Sequence, residues 1–337
     1  MSTAAGSHVL VLRFDMRAPQ PGAAPVDLYA AALEMCAWSE HRGGIAAVVC
    51  EHHGSLDGYV PSPLVLGTAI AARTVQLRIM LAAVLLPFYD VVRLAEDMNV
   101  LDLVSRGRVS YVFGIGYRPE EFEQFGVDRR ERGRVAEEKL RLLVRLRSGE
   151  EVEHEGRRIR ITPPPYTPGG PPIVWGGGSV AAARRAGRFG LGLQANADTA
   201  GMQEAYEEAC RAHGHEPSFV HVPDPNEPSV VFVADDVEQA WAELGPYLLH
   251  DARMYAAWNP DENGVTFISR ANSVDELRAT ATGYRILQPN DAVAHVRTGG
   301  ALRLAPLCGG IPPDVAWPYL ERAAAVVASA GQPDDDR

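Results

Sequence analysis

Several features that would make a function readable at once are missing from this chain. Cysteine is scarce: Cys36, Cys50, Cys210 and Cys308 stand alone, with no CxxC pair. That spacing offers neither a zinc site nor a disulfide framework, and it suits small buried hydrophobes in a reducing compartment. Excess positive charge is missing too, the formal net charge being -11. Such a surface argues against a nucleic-acid backbone or an anionic membrane as the main partner. The apolar run LRIMLAAVLLPF is far too short to span a bilayer. The opening MSTAAGSHVLVLRF has no basic region ahead of a long apolar core, so it reads as a first strand and not a signal peptide. A cytoplasmic location is the default expectation. No dinucleotide fingerprint occurs, so bound NAD(P)H is not required.

What is present is a chain of 337 residues with 46% hydrophobic content, enough to bury a substantial core. The stretch from Leu77 to Gly126 organises the rest. An apolar strand is followed by the helical pattern VVRLAEDMNVLDLVSRGR, with Val92, Ala95, Val100, Leu103 and Val104 near the spacing of one buried face. A second strand, VSYVFGIGY, then ends in glycines, which makes one βα repeat of a parallel sheet. Ligands bind at the carboxyl ends of such strands, here 82–87 and 114–118.

The same alternation runs along the chain. HVLVLRF is a first strand, with Asp27 expected to cap the next helix, and GGIAAVVCEHH is a second. After the organising repeat come a charged helix, a short hairpin near 151–160, and the strands PIVWGGGS, GLGLQAN, SVVFVADD and ALRLAPL. The region 250–283 is too long for a simple connection and is expected to be an inserted lid. Residues 331–337 form a solvated tail. The expected fold is α/β, a single (β/α)8 TIM barrel over 1–330; a two-domain doubly wound protein is the alternative, disfavoured because no polar hinge divides the chain.

Two motifs fall where chemistry is expected. Glu51, His52 and His53 close the second strand; an imidazole there suits general acid or base work near neutral pH, and two histidines hydrogen-bonded into a loop are the bland reading. A metal site built on these residues is disfavoured, because neighbours at a strand end diverge and no third ligand cluster is evident. Gly176, Gly177, Gly178 and Ser179 lie between a strand and a helix, where backbone approach and helix-start N–H groups suit an anion. The alternative there is a tight turn with a serine N-cap. By composition alone, Ala82 and Ala83 are small residues in a crowded interior.

At EHH, at LAAVLLPFYDVVRLAEDMNVLDLVSRGR, at FGIGYRPEEFEQFG and at PPIVWGGGSVAAARRAGRFG the chain resembles the bacterial luciferase-like monooxygenase family, nearly end to end. The resemblance implies a (β/α)8 barrel using reduced FMN, or a related deazaflavin. It implies a bulge with a cis peptide at Ala82–Ala83 against the flavin ring, flavin phosphate held by Gly177, Gly178 and Ser179, and His52 as the catalytic histidine. Glu51, Gly114 and Gly116 join the expected cofactor shell. Gly114 and Ile115 stand where light-emitting members carry a cysteine and a phosphate-binding arginine. Arg118, three positions on, is either a replacement cation or an exposed surface arginine.

The expected function is a flavin-dependent monooxygenase acting on a small organic substrate with O2 and FMN reduced by a separate flavin reductase. A homodimer is implied by the resemblance alone. A deazaflavin-dependent hydride transferase and a non-catalytic flavin-binding paralogue are the alternatives, and a metal-dependent hydrolase is a distant third.

Overall fold

The computed structural model describes residues 9–224, 227–260, 268–280 and 283–332. In chain order the elements are β1 (Val9–Phe14), α1 (Pro25–Ser39), β2 (Gly44–Val49), α2 (Pro63–Arg73), β3 (Arg78–Leu85), α3 (Val91–Ser105), β4 (Val109–Gly114) and α4 (Pro119–Gln124). Next come α5 (Arg132–Leu146), the hairpin β5 (Val152–His154) and β6 (Arg157–Ile159), β7 (Ile173–Gly176), α6 (Val180–Arg188), β8 (Gly192–Gln194), α7 (Met202–Ala212) and β9 (Val220–His221). The chain closes with β10 (Val230–Val233), α8 (Val237–Trp258), α9 (Val274–Ala279), β11 (Tyr284–Leu287), α10 (Pro289–Arg297), β12 (Ala301–Leu304) and α11 (Pro313–Ala330). The fold is α/β, with eight strands in a parallel sheet. None of the described helices is long and apolar enough to cross a membrane.

The described residues form two compact units. The first holds residues up to Val48, Leu56–Tyr59, and those from Asp224 on. In it β1 pairs in parallel with β12, Leu10 opposite Leu302 and Leu12 opposite Leu304, all four fully buried. β10 and β11 form a second parallel pair. Strands this apolar need cover on both faces, and α11 supplies part of it.

The second unit, 49–55 and 60–223, contains β3, β4, β7, β8 and β9 as successive neighbours. Ile79, Leu81 and Val84 of β3 are fully buried on one face, while Met80, Ala82 and Ala83 are half-buried. The Ala82–Ala83 peptide is cis, and the β3–β4 register shifts between Ala82 and Val84. α3 starts at Asp90, whose side chain accepts the Arg93 N–H at 2.9 Å.

Several expectations need correction. Asp27 lies in the first turn of α1, which begins after Ala24 without a side-chain cap. The buried face of α3 is Val91, Leu94, Ala95, Met98 and Leu101, whereas Val100, Leu103 and Val104 are exposed. Polar residues obscured it: Asn99 and Asp102 share the buried side, Asn99 donating to the Pro163 carbonyl and Asp102 accepting from Thr167. SVVFVADD pairs with β11, a strand absent from the sequence reading, as is α10. The first part of 250–283 is not a loop, because α8 runs to Trp258; 261–267 and 281–282 of that region lie outside the described residues. His8 and most of the tail, 333–337, also lie outside them.

Candidate active site

The sequence-predicted site residues all fall in the second unit: Ala82 and Ala83 within β3, Gly114 at the end of β4, and the rest in the loops that follow β2, β4 and β7. β2 stops at Val49, so Glu51, His52 and His53 belong to the loop that follows. That loop is anchored by the His52 N–H donating to the Val60 carbonyl at 3.1 Å. All three side chains are turned inward, and the residues are 2%, 6% and 8% exposed.

Buried acids and histidines are stable when paired, and each of these three residues has a partner. Glu51 Oε1 lies 2.7 Å from His53 Nε2 and accepts the Tyr89 hydroxyl at 2.9 Å, while Oε2 accepts the Leu85 N–H at 3.0 Å. Burial pushes the Glu51 carboxyl above its ordinary range, and these donors offset only part of that rise. The His53 ring stands edge-on to Phe88 and Phe125, with centroids 5.7 and 4.6 Å away.

His52 belongs to a second group. Its Nδ1 is 2.8 Å from Glu121 Oε1, and its Nε2 is 3.0 Å from the Tyr117 hydroxyl. Glu121 Oε1 also takes the His53 N–H at 2.9 Å and faces Arg118 NH1 at 3.4 Å. Arg118 in turn donates from NH1 to the His53 carbonyl at 2.7 Å. Arg118 is 5% exposed, which corrects the surface reading: it braces the histidine loop. Glu121 is fully buried, and its Oε2 has no hydrogen-bond partner among the described residues.

Next to this cluster the strand ends carry almost no side chain. Ala82 and Ala83 are half-buried. Gly114 ends β4, and a Cβ placed on it would stand 3.3 Å from the Ala83 Cβ. Gly116 has φ +72°, and a Cβ there would come 3.4 Å from the Phe122 ring. These four positions thus carry little or no side chain.

β7 lies beside β4, with Trp175 opposite Phe113, so the glycine turn shares that edge of the sheet. Gly177 has φ +142°, and its N–H donates to the Gln194 carbonyl at 3.1 Å. A Cβ on Gly178 would collide with the Asn196 side chain, so glycine is required by packing there. Ser179 is the N-cap of α6 and accepts the Ala182 N–H at 3.2 Å. That leaves its own O–H as a donor, alongside the unpaired N–H groups of a helix start.

Sequence reasoning missed Tyr89, Tyr117 and Glu121. Glu120 and Glu121 are indistinguishable in PEEFEQFG, yet one is exposed and the other fully buried beside Phe122. The available signal was the spacing from Arg118 to Glu121, three residues along a helix start, the distance of a side-chain pair.

The family profile described as luciferase-like monooxygenase matches residues 9–296. The alkanal monooxygenase alpha chain of Photorhabdus luminescens is 27% identical over 189 residues, 53% of this chain and 52% of that one. Limonene 1,2-monooxygenase of Rhodococcus erythropolis is 32% identical over 102 residues, 30% of this chain and 26% of that one. The chain thus spans about half the length, or less, of these curated relatives. Among solved structures, monooxygenase RslO1 of Streptomyces bottropensis shares the fold with a TM-score of 0.73 and 20% identity, covering 95% of this chain and 99% of that one. The oxygenating constituent of 3,6-diketocamphane monooxygenase from Pseudomonas putida, solved in complex with FMN, gives 0.63 and 19% identity over 95% and 98%. With a profile match over most of its length, the chain belongs to the luciferase-like monooxygenase family.

Proposed function

We propose that this chain is a flavin-dependent monooxygenase that uses reduced FMN, supplied by a separate flavin reductase, and O2 to oxidise a small organic substrate. The observation that carries the proposal is one edge of one sheet. The side-chain-poor floor of Ala82, Ala83 and Gly114, the buried histidine cluster and the GGGS turn stand on adjacent strand ends.

The residues present fit a flavin. A flat ring needs a surface without projecting side chains, and the floor provides it. A phosphate needs donors, and Ser179 with the first N–H groups of α6 offers them. Arg118 is engaged by His53 and Glu121, so in this reading it orders the histidine loop and the glycine turn holds the phosphate. Reduced flavin, once bound, supplies the electrons that activate O2. His52 manages protons near that chemistry, with Glu121 at its Nδ1, a contribution of roughly 10²–10⁴-fold for a positioned acid or base. A homodimer remains part of the proposal through the resemblance.

The test is direct. Quenching of FMN fluorescence on titration with protein reports binding. Reduced FMN and reduced deazaflavin are then mixed with protein, with and without O2, using a straight-chain alkanal and limonene as probes. Oxygen-dependent probe oxidation with FMN is expected. Turnover that needs deazaflavin and no oxygen contradicts the proposal.

A further inference from the structure

Within that proposed reading, we infer that the side chain meeting the substrate in proton transfer is Tyr117, and that His52 acts one step behind it. The argument starts at Glu121 Oε1. Two of its neighbours, the His53 N–H and the Arg118 guanidinium, can only donate. Oε1 is therefore an acceptor, and the third neighbour, His52 Nδ1, carries a hydrogen toward it at 2.8 Å. A neutral imidazole with hydrogen on Nδ1 has a bare Nε2. That nitrogen is 3.0 Å from the Tyr117 hydroxyl, so Tyr117 is the donor and His52 the acceptor.

Access follows the same order. Glu121 is fully buried, His52 is 6% exposed, and Tyr117 is half-buried. The nitrogen of His52 that would do chemistry is covered by the phenol, and the His52 and Tyr117 rings meet edge to face at 5.2 Å. Tyr117 is the most exposed of the three and lies on His52 Nε2, so the inferred route from a bound molecule to the imidazole runs through the Tyr117 oxygen. When the site takes a proton, the substrate X–H bond breaks and a bond forms to the Tyr117 oxygen, whose own hydrogen passes to His52 Nε2. The products are substrate anion and imidazolium, with Tyr117 neutral again. Donation runs the same steps backward. Tyr117 is then a catalytic residue, and Glu121 a positioning residue that fixes which nitrogen of His52 is bare.

Nitrogen-15 NMR of histidine-labelled protein reads the arrangement with no flavin or substrate present, the His52 signals being assigned by their loss in His52→Gln. Wild type is expected to show Nδ1 protonated and Nε2 bare. Tyr117→Phe should keep that tautomer while shifting the Nε2 signal, because its donor is gone. Glu121→Gln should break the single tautomer into a mixture. Hydrogen on Nε2 in wild type, or an Nε2 signal indifferent to Tyr117→Phe, overturns the inference. In FMN-loaded protein oxidising the alkanal probe, Tyr117→Phe should lower kcat at least tenfold with FMN affinity unchanged. The double variant Tyr117→Phe/His52→Gln should be no slower than the worse single, as for groups acting in series; additive losses would contradict the relay. Wild-type protein that fails to bind FMN would sink the functional proposal, yet the tautomer result would still stand or fall by itself.

Discussion

Two buried charged clusters among the described residues are built to opposite ends. In the first unit, Arg17 is fully buried, paired with Asp57 at 2.5 Å and Asp251 at 2.9 Å, and covered by the rings of Tyr59, Tyr255 and Trp258. Tyr284 donates to the other oxygen of Asp251 at 2.6 Å. In the second unit, the cluster is made of two histidines, two glutamates and Arg118, and it ends on the half-buried Tyr117. An always-charged guanidinium between carboxylates and aromatic faces is suited to holding a shape. Imidazoles, whose two ring nitrogens can each hold or give up a hydrogen, beside a half-buried tyrosine are suited to moving protons. Burial alone does not separate scaffold from site; the chemistry of the donor and its route to the surface do.

The sharpest way to break this contrast is Arg17→Met. It removes the buried cation that Asp57 and Asp251 share, leaving Asp57 to His250 at 2.9 Å and Asp251 to Arg13 at 3.5 Å and Tyr284 at 2.6 Å, and should cost about 3 kcal/mol, read as a lower urea midpoint. A loss under about 1 kcal/mol would mean that the pairs contribute little to the fold.

His52→Ala should act mainly on turnover, lowering oxidation of the probe by at least about tenfold with FMN binding retained and a smaller fall in the urea midpoint than Arg17→Met. Equal losses in both clusters would erase the distinction.

Ser179→Ala removes the cap of α6 and should cost roughly 1 kcal/mol in stability, with FMN affinity falling several-fold and riboflavin affinity staying level. Parallel losses for both flavins would place the phosphate elsewhere.

The smallest effect is on pH. Glu51 is held above its ordinary value of 4.5, so the folded chain keeps a proton that the unfolded chain has already released. Its contribution to stability is complete below the ordinary value and declines as pH rises through the folded one. Glu51→Gln should flatten that decline in urea midpoints measured across a pH series, and an unchanged slope would count against the buried acid.

Much of the second unit was legible in the chain. The β3 run is apolar and one of its faces is fully buried, and the EHH and GGGS motifs follow strand ends, where parallel sheets place ligands. The reading failed where two options have equal composition. α3 offers two apolar stripes, and the one that packs includes Asn99 and Asp102, whose partners lie more than sixty residues away. β10 finds its parallel neighbour in YRIL, across α8 and α9, a pairing that no local pattern encodes. Glu121 could not be told from Glu120 until the histidine loop was seen folding over it.

One crystal structure of the protein soaked with FMN bears most directly on the central claim. The ring should lie on Ala82 and Ala83 with the phosphate in hydrogen-bond reach of Ser179 and the first N–H groups of α6. Density for FMN at any other place, or a floor closed off by neighbouring side chains, would contradict it.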